Sequence, residues 1–172
     1  MAIVYHGSKN VVKNLKNPEN SQFGFFRKDF GYGFYCTRKY KQAKKWVKKK
    51  YEKKGFINSY YYNERYAIEN LKVKIFKEDD EWLNFVALNR SEDVDPEFDI
   101  IEGPMADDEI YDYVDDFNDG IMSREEFWKK AKFKEKTNQI CFLTKEAIKC
   151  LNFKGCEKYE EQHKNNENRI KK

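Results

Sequence analysis

Tyr5-His6-Gly7-Ser8 and Gly31-Tyr32-Gly33-Phe34-Tyr35-Cys36-Thr37 are the stretches whose reading decides the fold. Each is a short apolar run that carries a polar or aromatic group to a glycine-marked end. Ala2 to Tyr5 reads as a strand, with His6 to Ser8 as its exit. Phe34 to Cys36 reads as a second strand. Thr37 then suits the N-cap of a following helix, because its hydroxyl can accept an orphan backbone amide. Neither glycine pattern fits a phosphate loop, which needs a longer glycine-rich turn feeding a helix N-terminus. The two ends offer instead a ring nitrogen, an aromatic face and backbone amides, a set suited to a planar, sugar-linked ligand.

Working outward, the helix after Thr37 is expected to reach about Lys54 and to stop at Gly55. Tyr40, Ala43, Trp46, Val47 and Tyr51 fall at three- and four-residue spacing and predict one buried stripe. The lysines from Lys39 to Lys54 fit a solvated helix face or, with the interleaved aromatics, a nucleic-acid contact. Phe56 to Tyr62 reads as an aromatic-rich strand, and Leu71, Val73 and Ile75 as a strand with one wet face. Asp80 to Asn89 predicts a helix with Trp82, Phe85, Val86 and Leu88 inward. Phe98 to Ile101 is a compact strand ending at Gly103-Pro104. Asp107 or Asp108 caps a helix through Phe117, and the capping box Ser123-x-x-Glu126 opens another to about Phe133. Gln139 to Leu143 is the last clear strand, and Thr144 caps a helix over Lys145 to Leu151. This interleaving, without a regular βαβ series, predicts α+β with a split, mostly antiparallel sheet and flanking helices.

At 172 residues the chain suits one domain, placed over residues 1–156. From Glu157 onward the residues are nearly all charged or polar, so a disordered tail over 157–172 is expected. Net charge is +4, from 34 basic against 30 acidic residues, which by itself gives no argument for nucleic acid. No apolar run approaches a membrane span and no cleavable signal is read, so a cytoplasmic protein is expected. Cys36, Cys141, Cys150 and Cys156 form no Cys-x-x-Cys pair and read as buried free thiols rather than a zinc site.

Taken together, Tyr-His-Gly-Ser at the first strand and Gly-Phe-Tyr-Cys-Thr before an Ala- and Trp-bearing helix resemble the diphtheria-toxin and poly(ADP-ribose) polymerase branch of the ADP-ribosyltransferase superfamily. The closer resemblance is to an uncharacterised bacterial domain family within it, through Asp99-Ile100-Ile101-Glu102-Gly103-Pro104-Met105-Ala106-Asp107-Asp108 and Asn138-Gln139-Ile140-Cys141-Phe142. The similarity implies NAD as co-substrate, with no metal. His6 would bond a ribose hydroxyl, the Gly7 backbone would hold the nicotinamide amide beside Ser8, and Tyr35 and Trp46 would stack on the nicotinamide ring. Gln139 stands where the superfamily's third catalytic residue, a glutamate, belongs. An amide orients a ribose but supplies no negative charge. Glu102, Asp107 and Asp108 are the acids that the sequence offers in compensation. The implied activity is transfer of ADP-ribose to a protein or nucleic acid, in the manner of toxins of toxin–antitoxin or phage-defence systems, with an antitoxin as partner. The alternatives are a catalytically weak or inactive module binding NAD or ADP-ribose, and a nucleic-acid interaction protein using the helix from Lys39 to Lys54. Each residue also has an ordinary reading: His6, Tyr35, Trp46 and Gln139 as core groups, Asp107 and Asp108 as helix-capping acids.

Overall fold

The computed structural model describes residues 1–16, 28–51, 54–91, 97–106, 108–131 and 137–160, and for Asp108 the backbone alone. The element order is β1 (Ala2–Ser8), β2 (Phe34–Cys36), α1 (Tyr40–Tyr51), β3 (Lys54–Tyr62), α2 (Glu64–Asn70), β4 (Val73–Ile75), α3 (Asp80–Ser91), β5 (Ile100–Gly103), α4 (Asp108–Asn118), α5 (Arg124–Lys130), β6 (Gln139–Phe142), α6 (Lys145–Ile148) and β7 (Leu151–Glu160). This is the α+β class that the interleaved pattern predicts.

The strands form two sheets, ordered β1-β3-β7 and β2-β6-β5-β4. Every pairing is antiparallel except β4 with β5. A single bridge, Tyr5 with Thr37, joins the edge of one sheet to the edge of the other. The sheets fold over a shared core of Val4, Tyr60, Tyr62, Cys36, Ile140 and Phe142. On the opposite side of the four-stranded sheet, Ile101, Cys141 and Leu143 pack against α3, α4 and α5 through Trp82, Leu83, Val86, Val114 and Phe127. α1 lies on the outer side of the three-stranded sheet, with Ala43 and Val47 against Ile57.

Several boundaries differ from the sequence reading. β1 does not end at Tyr5: His6, Gly7 and Ser8 stay in register with Asn58, Ile57 and Phe56 of β3. The described helix α1 ends at Tyr51, and Gly55 lies in β3, not at a helix stop. A Cβ on Gly55 would stand 2.4 Å from Val47 Cγ1, so this glycine lets α1 sit close on the sheet. Thr37 Oγ1 does accept a backbone amide, that of Lys39 at 3.1 Å. Trp46 leaves the buried stripe and is 37% exposed. Leu88 also faces out, while Leu83 and Ala87 join Trp82 and Val86 inside.

The Ser123 capping box forms as expected, but its helix ends at Lys130. α6 is one turn long, because Leu151 already begins β7. β7 runs on to Glu160 against β3, past the Glu157 taken as the start of the tail. The rest of that tail, and Asp107, lie outside the described residues. Cys36, Cys141 and Cys150 are buried free thiols, but Cys156 is exposed. Among the described residues no helix is long and apolar enough to cross a membrane.

Candidate functional site

At the junction of the two sheets, Tyr5 and Thr37 exchange both backbone hydrogen bonds, Tyr5 N to Thr37 O at 2.8 Å and Thr37 N to Tyr5 O at 2.9 Å. Backbone polar groups alternate along a strand, so the N–H and C=O of Gly7 and of Tyr35 point to this same edge. The next antiparallel rung would pair Gly7 with Tyr35, and it is not made: the Tyr5–Thr37 bridge stands alone. β1 and β2 part at this point. The His6 side chain crosses the parting and donates from Nδ1 to the Tyr35 carbonyl at 2.6 Å. What remains at the parted edge is the N–H and C=O of Gly7, a donor and an acceptor side by side, with the Tyr35 N–H across from them.

His6 is fixed by more than that bond. Its ring stacks on Phe34 with centroids 4.5 Å apart. Burial lowers its pKa to about 4, against the raising effect of the Tyr35 carbonyl, and the nearby Lys28 charge lowers it further. The imidazole is therefore neutral at pH 7, with its hydrogen on Nδ1 and a lone pair on Nε2.

Tyr35 anchors the other wall. Its hydroxyl donates to the Gly31 carbonyl at 2.7 Å and accepts from the Phe30 amide at 3.1 Å. Burial pushes the phenol pKa well above its ordinary value. Its ring face carries the Lys28 ammonium at 4.4 Å from the centroid, and the same ammonium is 5.5 Å from the centroid of Trp46. Trp46 in turn lies beside Gly7, where an added Cβ would meet Trp46 Cδ1 at 3.2 Å and Val47 Cγ2 at 2.8 Å. Tyr35, Trp46, Lys28 and the Gly7 edge thus form one slot.

Gln139 lies on the Tyr35 side of the four-stranded sheet: Tyr35 pairs with Cys141, two residues along β6 from Gln139. It is buried, and Nε2 donates to Asp29 Oδ2 at 2.8 Å and to the Pro104 carbonyl at 3.0 Å. Both amide hydrogens are engaged, leaving Oε1, an acceptor, as what the side chain has to offer a ligand. Asp29 is itself held by Arg90 at 2.6 Å and by the Ala106 amide at 2.9 Å. A glutamate at position 139 would set a second carboxylate against Asp29, which explains the glutamine physically.

The other expected residues stand apart from the slot. Glu102 pairs with Ile140 across the sheet, so it points to the face opposite Gln139. There Arg38 grips both of its oxygens, at 2.6 and 2.8 Å, and Asn138 donates at 2.8 Å. Burial raises its pKa, but these bonds outweigh that and hold it below the usual carboxylate range. Glu102 is thus held as an anion by Arg38 and Asn138, away from Gln139. The Ser8 hydroxyl donates to the Asn10 carbonyl and accepts from Asn58 Nδ2, which assigns it to the turn after β1. Gly33 serves packing, since a Cβ there would lie 2.4 Å from the Cys141 sulfur. Asp108 begins α4.

Sequence reading missed Lys28, Asp29 and Arg90. Lys28 and Asp29 lead into a turn whose Gly31 takes φ 83°, with the Gly31 amide bonded to the Lys28 carbonyl at 3.0 Å. The Lys-Asp-x-Gly turn signature was the one available signal. No curated protein matches the chain, and no solved structure does. A family model described as "Protein of unknown function (DUF3990)" matches residues 2–153, and the chain belongs to that family.

Proposed function

We propose that this protein is an NAD-dependent ADP-ribosyltransferase that takes the nicotinamide end of NAD into the slot between Tyr35 and Trp46. The observation that carries this reading is the unmade rung between β1 and β2. A primary carboxamide presents one acceptor and one donor in a plane, the complement of the Gly7 N–H and C=O, and its aromatic ring fits between two aromatic faces. A ring that binds there as a cation gains from the same faces that hold the Lys28 ammonium.

The residues then divide the work. Gly7 orients the carboxamide, and Tyr35 and Trp46 hold the ring. Nε2 of His6 accepts from a ribose hydroxyl, as its tautomer requires, and Gln139 Oε1 accepts from another. The bond from ribose C1′ to the ring nitrogen breaks with its electron pair going to that nitrogen, so nicotinamide leaves neutral. The acceptor's heteroatom bonds to C1′ and releases its proton to solvent. Positive charge grows on the ribose in between, and a carboxamide opposes it more weakly than a carboxylate. Loss of one such electrostatic group costs about 10²–10³ in rate, so turnover is slow by the standard of the superfamily.

That same glutamine favours a second reading, an NAD- or ADP-ribose-binding module without turnover. Two measurements decide. NAD should raise the melting temperature of the protein, and Trp46→Ala, on an exposed residue, should abolish the shift while leaving the fold intact. Radiolabelled NAD with a cell lysate should then give labelled macromolecule and free nicotinamide. A melting shift without nicotinamide release selects the binding module, and no shift at all refutes both readings.

A further inference from the structure

The side chain lying against the slot's ring faces comes from an anchored segment. Phe30 is 1% exposed and stacked against Phe76, and Asp29 is tied to Arg90 and Gln139. The Lys28 backbone is thereby fixed by its neighbours, and its ammonium is delivered onto the Tyr35 face and toward Trp46. Asp29 is engaged by Arg90 and Gln139, and the Lys28 ammonium lies against the two ring faces. Lys50 approaches Trp46 as well, at 5.3 Å, so the slot is already rich in cation.

We propose that Lys28 is a built-in competitor of the ligand ring: its ammonium and a pyridinium cation exclude one another from the space between Tyr35 and Trp46. This rests on the nucleotide reading above and adds selectivity to it. Two cations cannot occupy the one space between these aromatic faces, and only the Lys28 side chain, not its turn, has to move for the ring to enter. Burial also lowers the Lys28 pKa, which eases its displacement. A pyridinium recovers the cation–π attraction that the lysine gives up, whereas the uncharged dihydropyridine of NADH does not. The slot thus favours the oxidised nucleotide.

The test uses nicotinamide riboside, a pyridinium without phosphates, so that contacts of Lys28 with a phosphate do not enter. Wild type and Lys28→Met are titrated by calorimetry, with Lys28→Gln used if the methionine variant fails to fold. In parallel, the Lys28 ε-methylene is followed by NMR. Removing the competitor should tighten binding about tenfold, between the scale of an exposed and of a desolvated cation–π contact. The ε-methylene should be shifted upfield by the rings in wild type and should return to its ordinary position on saturation. Equal or weaker binding by the variant overturns the competition and leaves the nucleotide reading standing. An unshifted ε-methylene in the protein alone overturns the competition independently. No binding of nicotinamide riboside or NAD by either protein removes the nucleotide reading, and the competition with it.

Discussion

His6 is held neutral by burial between the sheets, with its pKa near 4. In the unfolded chain a histidine titrates near 6.5. Between these values the unfolded state binds the proton and the folded state does not. The contribution of His6 to stability is therefore complete above about pH 6.5 and is lost as pH falls toward 4. His6→Asn keeps a donor for the Tyr35 carbonyl but cannot titrate. Below pH 6.5 the wild type should lose up to about 1.4 kcal/mol more per pH unit than this variant, measured by urea denaturation. Parallel slopes for the two proteins would refute the assignment. At Gln139 the argument concerns residue type. Gln139→Glu places an acceptor where Asp29 and the Pro104 carbonyl need a donor. It should cost about 1–3 kcal/mol, and a variant as stable as wild type would show that Asp29 does not dictate this position.

Among the elements, α1 and the three-stranded sheet show how close approach, rather than turn formation, accounts for two of the glycines. Gly7 and Gly55 both lie under Val47, and a Cβ on Gly55 would come within 2.4 Å of it. Gly55→Ala should destabilise by about 1–3 kcal/mol through overpacking. Gly155→Ala, at a site with nothing within 4 Å of the added carbon, is the control and should stay within about 0.5 kcal/mol. Thermal denaturation reads both, and equal effects would remove the packing argument. The sequence assigned Gly55 to a helix stop because a glycine after an amphipathic run is the usual stop signal; only the sheet beneath the helix gives it another use. β7 escaped notice for a related reason. Only Leu151 is buried along it, and its last residues, from Glu157, read as tail until β3 supplies a backbone to pair with.

Across the whole molecule, the Asp29–Arg90 pair ties the turn before β2 to α3, with side chains only 6% and 5% exposed. Arg90 also donates to Asp115 and stacks on Tyr111 of α4, with its guanidinium carbon 3.7 Å from the ring centroid. Arg90→Leu leaves the Asp29 carboxylate buried without its cation and should cost about 3–5 kcal/mol. Adding Asp29→Asn should restore part of that loss, because the second change removes the stranded charge. If the double variant is no more stable than the single one, the ion pair is not what joins these layers. The slot depends on this tie, since Lys28, next in the chain, follows from where Asp29 and Phe30 are anchored.

Local patterning was enough to fix the α+β class, most element positions and the Ser123 cap, because periodicity, caps and glycine punctuation are short-range properties of the chain. It could not tell which side of a strand faces which neighbour. That Glu102 and Gln139 look in opposite directions follows from β5–β6 register, and that Gly7 presents a free strand edge follows from where β1 and β2 separate. Lys28, Asp29 and Arg90 meet the site only through contacts between residues far apart in sequence, where burial and charge pairing are set by the assembled layers and not by any segment alone.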